Sequence, residues 1–292
     1  MTKLTVVDPH IHLWDLSTGL YPALDAPSDR MAEIAKTYLL PDLLADAGDI
    51  TVAKAVHVEA FPSDPIAETL HVQAMADAAG NGIPQGIVGN ADFTQPDVEA
   101  TLAAQAECAN FRGIRQVVNL HDNPEKRYVT KDYLNDAAWV GNLKLLTRYN
   151  ASFDLQLYPH QMADAARVIG TTPDVMFIVN HAGMFTDRTL EGWQIWKAGM
   201  CDLAARDNVC VKISGLGMFD RNWSLESIRP YVLETLTCFG TDRAMFASNF
   251  PVDKMFSSYE AVWKAFDEIV ADLSDVERAG LMQHNAERYY RI

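Results

Sequence analysis

Three of the eight histidines occupy positions from which they could share one cavity. His10 and His12 flank Ile11 directly after a short apolar run, and His181 follows another apolar run. In extended backbone, residues i and i+2 face the same side, so the imidazoles of His10 and His12 should face one cavity. Such a pair can hold a metal ion, or orient a polar substrate and move protons. The structural alternatives are a surface turn for the pair and a satisfied core histidine for His181.

Other apolar runs also carry polar side chains near their C-terminal ends. Arg115 and Lys212 lie inside such runs, and an unpaired buried cation is costly. Each therefore needs a carboxylate partner, in a structural ion pair, or must face an open end of the fold. The polar residues at these run ends are His57, Glu59, Arg115, Gln116, Gln156, Tyr158, Lys212, Ser214, Ser248, Asn249 and Asp253.

Short runs rich in Val and Ile alternate with longer helix-period segments along the whole chain. Runs of this kind are typical of strands buried on both faces. Eight of them, each followed by a helix, predict an α/β fold, a single (β/α)8 barrel of the TIM type. An open doubly wound sheet is the alternative, but no GxGxxG follows any run. The predicted strands are Leu4–Val7, Val52–Val58, Gly86–Val88, Gly113–Val118, Ser152–Leu157, Val175–Val179, Val209–Ile213 and Ala244–Ala247.

Helix starts are marked by capping sequences. Ser63-Asp64-Pro65 predicts a helix over Ile66–Ala79, and Thr94-Gln95-Pro96-Asp97 predicts one over Val98–Ala106. No repeat, low-complexity tract or Pro/Ser-rich linker divides residues 1–292, which we interpret as one domain. Further helices are predicted over Leu225–Cys238, Tyr259–Ala271 and Asp275–Tyr290.

Composition narrows the class of protein. A net charge of −15 disfavours nucleic acid as a partner, and no apolar run reaches the roughly 18 residues that a membrane span needs. A small-molecule substrate is expected, and the oligomeric state, including a homo-oligomer, stays open. The four cysteines show no close pairing, and the first ten residues contain no secretory apolar core. Reduced thiols and a cytoplasmic location are therefore expected.

Five segments together resemble the amidohydrolase superfamily, in its amidohydrolase-2 branch of small lactonase-like enzymes. They are VDPHIHLWD at 7–15, VHVEA at 56–60, GIRQVV at 113–118, NHAG at 180–183 and MFASNFPVD at 245–253. They occur in order, one per predicted strand, across almost the whole chain. The resemblance implies that His10 and His12 match the paired histidines of the first strand, that His181 matches the sixth-strand histidine, and that Asn249 matches the eighth-strand aspartate.

The sequence departs from the pattern of metal-dependent relatives at three positions. Asn249 replaces the aspartate that takes the proton from the attacking water, and an amide has no proton affinity near neutral pH. The bridging lysine has no match on strand four, and Gln156 replaces a strand-five histidine. A dinuclear centre is therefore not expected, and no cofactor is the first prediction. The alternative is a single weakly bound divalent metal such as Zn²⁺ on His10, His12 and His181.

The resemblance implies hydrolysis of a lactone of a sugar acid or dicarboxylate, in carbohydrate or aromatic catabolism. The three histidines would stabilise the oxyanion, Arg115 or Lys212 would bind a substrate carboxylate, and His57 or Glu59 would accept the proton. A lactone isomerase acting by intramolecular acyl transfer is the runner-up. An inactive barrel that only binds a sugar acid is the alternative from another class. The predicted substrate-binding residues are Arg115, Gln156, Tyr158, Lys212 and Trp14.

Two segments are expected to cover the mouth of the barrel, Leu16–Pro41 and Met184–Trp196. Trp14, Phe61, Phe219 and Trp223 could line the pocket, although aromatic residues near a barrel rim are as often plain packing.

Overall fold

Eight parallel strands form the centre of the protein. The computed structural model describes residues 3–28 and 31–292, and its strands pair in chain order from the first to the eighth. The sheet consists of β1 (Thr5–Ile11), β2 (Thr51–Val58), β3 (Gly86–Asn90), β4 (Phe111–Arg115), β5 (Ser152–Leu155), β6 (Phe177–Val179), β7 (Val209–Ile213) and β8 (Ala244–Phe246).

The sheet closes on itself where β1 runs beside the end of β8. The backbone N–H of Asn249 donates to the carbonyl of His10 at 2.9 Å, and the N–H of His12 donates to the carbonyl of Phe250 at 2.8 Å. These bonds join the first and last strands at the end of the barrel where both strands finish. The prediction of a (β/α)8 barrel is confirmed, and the open doubly wound sheet is wrong.

The helices follow the strands and cover the outside of the barrel. None of the helices in residues 3–28 and 31–292 combines the length and the apolar character needed to cross a bilayer. They are α1 (Pro22–Asp25), α2 (Leu40–Ala47), α3 (Pro65–Ala78), α4 (Val98–Ala106), α5 (Ala137–Asn142), α6 (Met162–Gly170), α7 (Leu190–Ala204), α8 (Leu225–Phe239), α9 (Tyr259–Ile269), α10 (Asp275–Ala279) and α11 (Asn285–Tyr290).

The helices that were predicted from the sequence begin within one residue of their predicted first residues. The Asp64 carboxylate accepts hydrogen bonds from the N–H groups of Ile66 and Ala67, both at 3.0 Å, and so caps α3. α4 has the predicted bounds, although Asp97 makes no side-chain cap. The helix predicted over residues 275–290 is interrupted, because a π-helical turn at Gly280–His284 separates α10 from α11.

A group of paired polar residues fills the barrel between α11 and the histidines, and we call Asp154, Lys212 and Tyr290 the floor cluster. Lys212 donates to the Asp154 carboxylate, and the Tyr290 hydroxyl donates to the same carboxylate at 2.8 Å. The Lys212 ammonium also lies 3.4 Å from the carbonyl of Pro9. All three side chains are buried. The floor cluster thus joins β5, β7 and the C-terminal helix across the barrel interior.

Two of the cysteines are bonded to each other. Cys201 on α7 and Cys238 on α8 form a disulfide, with their Cα atoms 4.9 Å apart. The expectation of four reduced thiols was wrong for this pair. The reason is that the bond joins neighbouring helices across 37 residues of sequence, a separation that gives no local signal. Cys108 and Cys210 are free and buried.

Candidate active site

A cavity of about 290 Å³ opens at the carboxyl ends of the strands. This is the end at which (β/α)8 barrels carry their active sites. The polar residues of its wall are His12, Arg115, Glu125, Arg127, Gln156, His181 and Asn249. Its remaining wall residues are Trp14, Ala23, Leu24, Met31, Ala60, Phe61, Tyr128, Met218, Val252, Met255 and Phe256.

β1 places His12 in the wall of this cavity, whereas His10, two residues earlier on the same strand, is fully buried and is not one of the wall residues. The strand runs further than predicted, to Ile11, because its pairing with β2 continues through an irregularity between Asp8 and Ile11. The two imidazole rings lie 5.0 Å apart. His12 Nδ1 is 2.7 Å from the carbonyl oxygen of Val58. Since a carbonyl oxygen only accepts, Nδ1 carries the proton and Nε2 is left as a proton acceptor.

His181 reaches the same place from the end of β6. Its ring lies 4.6 Å from that of His10, and its Nδ1 lies 2.9 Å from the Ser214 hydroxyl. The backbone of His181 is left-handed, with φ of 55°. Gly215 packs against the ring, and a Cβ at that position would lie 2.6 Å from His181 Nδ1. Gly215 also has a left-handed backbone, with φ of +64°, so both this contact and the backbone conformation make glycine necessary at position 215.

The three imidazoles are neutral in this environment. Burial holds the pKa of His10, His12 and His181 well below the ordinary value. The positive charges of Lys212 and Arg115 lower these pKa values further. Both ring nitrogens of His10 are buried without a hydrogen-bond partner among the described residues. The histidine cluster, defined as His10, His12 and His181, can therefore accept protons or hydrogen bonds at neutral pH.

Arg115 is held in the cavity wall by Glu59. Its Nε donates to Glu59 Oε1 at 2.6 Å, its Nη2 to the Glu59 carbonyl at 2.5 Å, and its Nη1 to Gln156 Oε1 at 3.2 Å. A guanidinium has five N–H groups, so two are left over from these bonds. Burial raises the pKa of the Glu59 carboxyl, and the Arg115 charge opposes that rise. Arg115 thus offers donors to a ligand while its charge is balanced.

Glu59 and His57 do not line the cavity. Glu59 is engaged by Arg115 and by the N–H of Phe61 at 2.7 Å. His57 Nδ1 accepts from the N–H of Leu13 at 3.1 Å, and its Nε2 faces Glu68 at 3.6 Å. The expectation that Glu59 or His57 accepts the proton stays a prediction, which their position outside the cavity wall does not favour.

Asn249 lies in the cavity wall with Asp253 behind it. The Asn249 backbone is left-handed, with φ of 60°, and its Nδ2 donates to Asp253 Oδ2 at 2.8 Å. This bond fixes the amide, so that its oxygen stays free for a ligand or water. Burial raises the pKa of the Asp253 carboxyl to about 7, and the bond from Asn249 opposes that rise.

Trp14 lines the cavity and is hydrogen-bonded to the segment that contains Lys36 and Tyr38. Its backbone pairs with Tyr38, and its indole N–H donates to the carbonyl of Lys36 at 2.7 Å. Segment 16–41 contributes Leu24 and Met31 to the wall, as expected of a segment that covers the mouth. Asp29 and Arg30 of that segment lie outside the described residues.

Two predicted substrate-binding residues lie away from this cavity. Lys212 is fully buried in the floor cluster, where Asp154 neutralises it, so the ion-pair alternative is the one that the structure supports. Tyr158 lines a neighbouring cavity of about 280 Å³ together with Phe219, and its hydroxyl donates to the carbonyl of Lys126 at 2.5 Å. Trp223 lies beside a third, much smaller cavity.

Sequence reasoning missed the supports of the site. The Asp8 carboxylate accepts from the N–H of His10 at 3.2 Å, the N–H of Ser248 at 3.0 Å and the hydroxyl of Tyr259 at 2.9 Å. Asp8 therefore joins β1 to the end of β8 directly beneath the histidines, and burial raises its pKa to about 6. The position of Asp8 two residues before His10 was the available signal. Asp253 was predicted as a polar residue near the end of its run, but its bond to Asn249 was not.

The donor set does not fit a metal ion. Among residues 3–28 and 31–292, no group of three or more His, Cys, Asp or Glu side chains is arranged to hold one. Asn249 brings no negative charge, and the carboxylates of Glu59 and Asp253 are engaged by Arg115 and Asn249. A metal-free reaction stays a prediction.

Comparison with known sequences places the chain in a family. A family model described as Amidohydrolase matches residues 7–292. The uncharacterized protein y4mH of Sinorhizobium fredii is 46% identical over 301 residues, with 100% of both chains covered. An L-fucono-1,5-lactonase of Burkholderia ambifaria is 26% identical over 312 residues, covering 98% of this chain and 95% of the lactonase.

Solved structures show the same architecture. An amidohydrolase from Burkholderia multivorans with bound zinc superposes with a TM-score of 0.83 at 24% identity, covering 99% of both chains. A putative 2-pyrone-4,6-dicarboxylic acid hydrolase from Pseudomonas putida gives a TM-score of 0.74 at 19% identity, covering 99% of this chain and 98% of that one. At these identities the likeness concerns the fold. Because the family model spans residues 7–292, this chain belongs to the amidohydrolase family, and it is a hydrolase with a (β/α)8 barrel.

Proposed function

We propose that the protein hydrolyses a lactone, with His12 as the proton acceptor. One observation carries the proposal: the neutral imidazole of His12 donates from Nδ1 to a backbone carbonyl, which leaves Nε2 as an acceptor in a cavity that also contains Arg115. Two relatives that are 26% identical over 98% of this chain are named L-fucono-1,5-lactonase, which supports a cyclic ester as the substrate.

The reaction begins with water in the cavity. His12 Nε2 takes a proton from the water, and the water oxygen bonds to the carbonyl carbon of the lactone. The carbonyl oxygen becomes an oxyanion, which the two remaining N–H groups of Arg115 stabilise by charge-assisted hydrogen bonds. The bond between the carbonyl carbon and the ring oxygen then breaks, and the departing alkoxide takes the proton back from His12. The products are a carboxylic acid and an alcohol in one open chain.

Asn249 acts as a positioning residue in this scheme. An amide cannot take a proton near neutral pH, so Asn249 does not replace the base. Its Nδ2 is turned towards Asp253, and its Oδ1 is left to accept a hydrogen bond from the attacking water. His181 and Gln156, which also line the cavity, hold the ester group beside Arg115.

A single preparation tests this proposal. The protein, expressed without added metal, is analysed for bound metal and mixed with L-fucono-1,5-lactone and unsubstituted δ-lactones, while proton NMR follows the products with and without a chelator. We expect ring opening at a rate that the chelator leaves unchanged. His12→Gln should lower kcat by about 10²- to 10⁴-fold. The matched control is His284→Gln, a histidine with 65% of its side chain exposed, which should leave kcat unchanged.

Three results would overturn the proposal in different ways. Conversion of one lactone into another without ring-opened product would make the protein an isomerase. Stoichiometric metal with loss of activity on chelation would restore a metal-dependent mechanism. Unchanged kcat in His12→Gln would show that another group takes the proton.

A further inference from the structure

The wall of the cavity changes character between its bottom and its mouth. The polar wall residues at the bottom are buried, with exposed fractions of 4% for His12 and Gln156, 2% for Arg115 and His181 and 1% for Asn249. The wall nearer the mouth is apolar and, except for the buried Leu24, partly exposed, as in Phe61, whose exposed fraction is 47%. We call this wall the apolar collar, made up of Leu24, Met31, Phe61, Met218, Met255 and Phe256.

The apolar collar has few polar groups for a hydroxylated ligand. Two charged residues at the mouth belong to the wall, Glu125 and Arg127. Two of the five N–H groups of Arg127 donate to the carbonyls of His121 at 2.8 Å and Asp122 at 2.9 Å, so the polar contacts left at the mouth are those of Glu125 and of the other Arg127 N–H groups. A substituent with several hydroxyls placed against Met218, Met255 and Phe256 would lose hydrogen bonds to water without gaining equivalents.

An apolar substituent would instead gain from the same surface. Burying alkyl or aryl surface against thioethers and rings is favourable in proportion to the area removed from water. Three of the six residues of the apolar collar are methionines, whose unbranched side chains adapt to ligands of different shape. At about 290 Å³, the cavity is at the small end of ligand pockets, so one ring with a short chain or a second ring fits its size.

We infer that the substrate is a lactone with an apolar substituent, an alkyl chain or an aryl ring. The ester lies among His12, Arg115 and Asn249, and the substituent lies against the apolar collar. This inference rests on the proposed lactone hydrolysis and differs from the lactone of a sugar acid or dicarboxylate that the sequence predicts. The buried polar residues recognise the reacting group, and the apolar collar determines which lactones are accepted.

A chain-length series tests the inference. δ-Lactones with 6-alkyl substituents of one to six carbons are compared with a polyhydroxylated δ-lactone of the same ring size. We expect kcat/KM to rise about three- to fourfold per added methylene until the cavity is full, and the hydroxylated ring to be poorer by tenfold or more. A flat series, or a preference for the hydroxylated ring, would overturn the inference while leaving lactone hydrolysis intact.

Variants locate the preference in the apolar collar. Met255→Gln keeps the length of the side chain and adds a polar amide, and should reduce the ratio of kcat/KM between hexyl and methyl lactones by about fivefold or more. Met75→Gln is the matched control, because Met75 is a partly buried methionine of α3 outside the cavity. This control should leave the ratio unchanged. An equal change in both variants would contradict a role of the apolar collar.

Binding of an unreactive analogue separates the inference from the proposed function. 6-Alkyl-δ-lactams resist hydrolysis, and their Kd is measured by calorimetry on the intact protein. A Kd that falls with chain length, and less steeply in Met255→Gln, would support the apolar subsite even if no lactone is opened. A Kd independent of chain length would overturn it, whether or not lactones are hydrolysed.

Discussion

Two groups of buried polar residues lie one above the other inside this barrel, and they differ in how completely they are paired. In the floor cluster, Lys212 and Tyr290 both donate to the Asp154 carboxylate, which also accepts from Asn180 at 3.0 Å. In the histidine cluster above it, both ring nitrogens of His10 lack partners among the described residues.

The difference separates a cluster whose polar atoms are paired with one another from a cluster that is only partly paired. An unpaired polar group in a protein interior costs free energy, whereas a fully paired one fixes the packing around it. Lys212 was a candidate for substrate binding on its sequence position, and its pairing with Asp154 identifies it as structural. The floor cluster and the histidine cluster therefore differ in whether their buried polar atoms have hydrogen-bond partners.

The largest effect is expected from breaking the floor cluster. Asp154→Asn keeps the shape of the side chain but leaves the Lys212 cation buried without a negative charge. The free energy of unfolding, measured by urea denaturation, should fall by about 3–5 kcal/mol. The double variant Asp154→Asn/Lys212→Met, which removes both charges, should recover part of this loss. A loss below about 1 kcal/mol in the single variant would mean that the ion pair does not stabilise the barrel.

A change of opposite sign is expected in the histidine cluster. His10→Leu replaces an unpaired buried imidazole by an apolar side chain of similar size, and should raise the free energy of unfolding by about 1–2 kcal/mol. Lactone hydrolysis should fall by about 10²-fold in the same variant, because the group beside His12 and His181 is lost. Destabilisation as large as that of Asp154→Asn would show that the two clusters do not differ as described.

The smallest effect is expected at Asp253, whose carboxylate accepts one side-chain hydrogen bond, from Asn249. Its pKa of about 7 in the folded protein exceeds the value near 4 of an unfolded chain, so the folded state holds a proton that the unfolded state has released between these values. Its stabilising contribution is therefore complete below about pH 4 and is lost as the pH rises through 7.

Asp253→Asn should remove this pH dependence. Between pH 5 and 6.5 the free energy of unfolding should fall with rising pH by about 1 kcal/mol per pH unit more steeply in the wild-type protein than in the variant. Urea denaturation at four pH values gives both slopes. Asp8, whose pKa is about 6, contributes equally to both proteins and cancels in the difference. Parallel slopes would indicate that Asp253 is ionised throughout this range.

The sequence carried enough information for the barrel because strands buried on both faces leave a signal in local composition. The eight runs predicted as strands correspond to β1–β8, with errors at the ends. β1 reaches Ile11, past its predicted end at Val7, because pairing with β2 continues through an irregularity that composition does not encode. β4 ends at Arg115, short of Val118.

The site was predictable where its residues follow strands and unpredictable where partners come from distant segments. His12, His181, Arg115, Gln156 and Asn249 were all expected and all line one cavity. The engagement of Glu59 by Arg115 joins residues 56 positions apart, and no local pattern reports it. The apolar collar is assembled from loops far apart in the chain, so its character appeared only when the loops were brought together.

The position of the floor cluster also bears on the route by which substrate and product enter and leave the cavity. Asp154, Lys212 and Tyr290 are fully buried and do not line the cavity, whose partly exposed wall is the apolar collar. In the proposed reaction, a product with a new carboxylate and a new hydroxyl would leave by the route along which the less polar lactone entered. Ring opening would then turn a ligand that suits the apolar collar into one that does not, and so would favour release of the product.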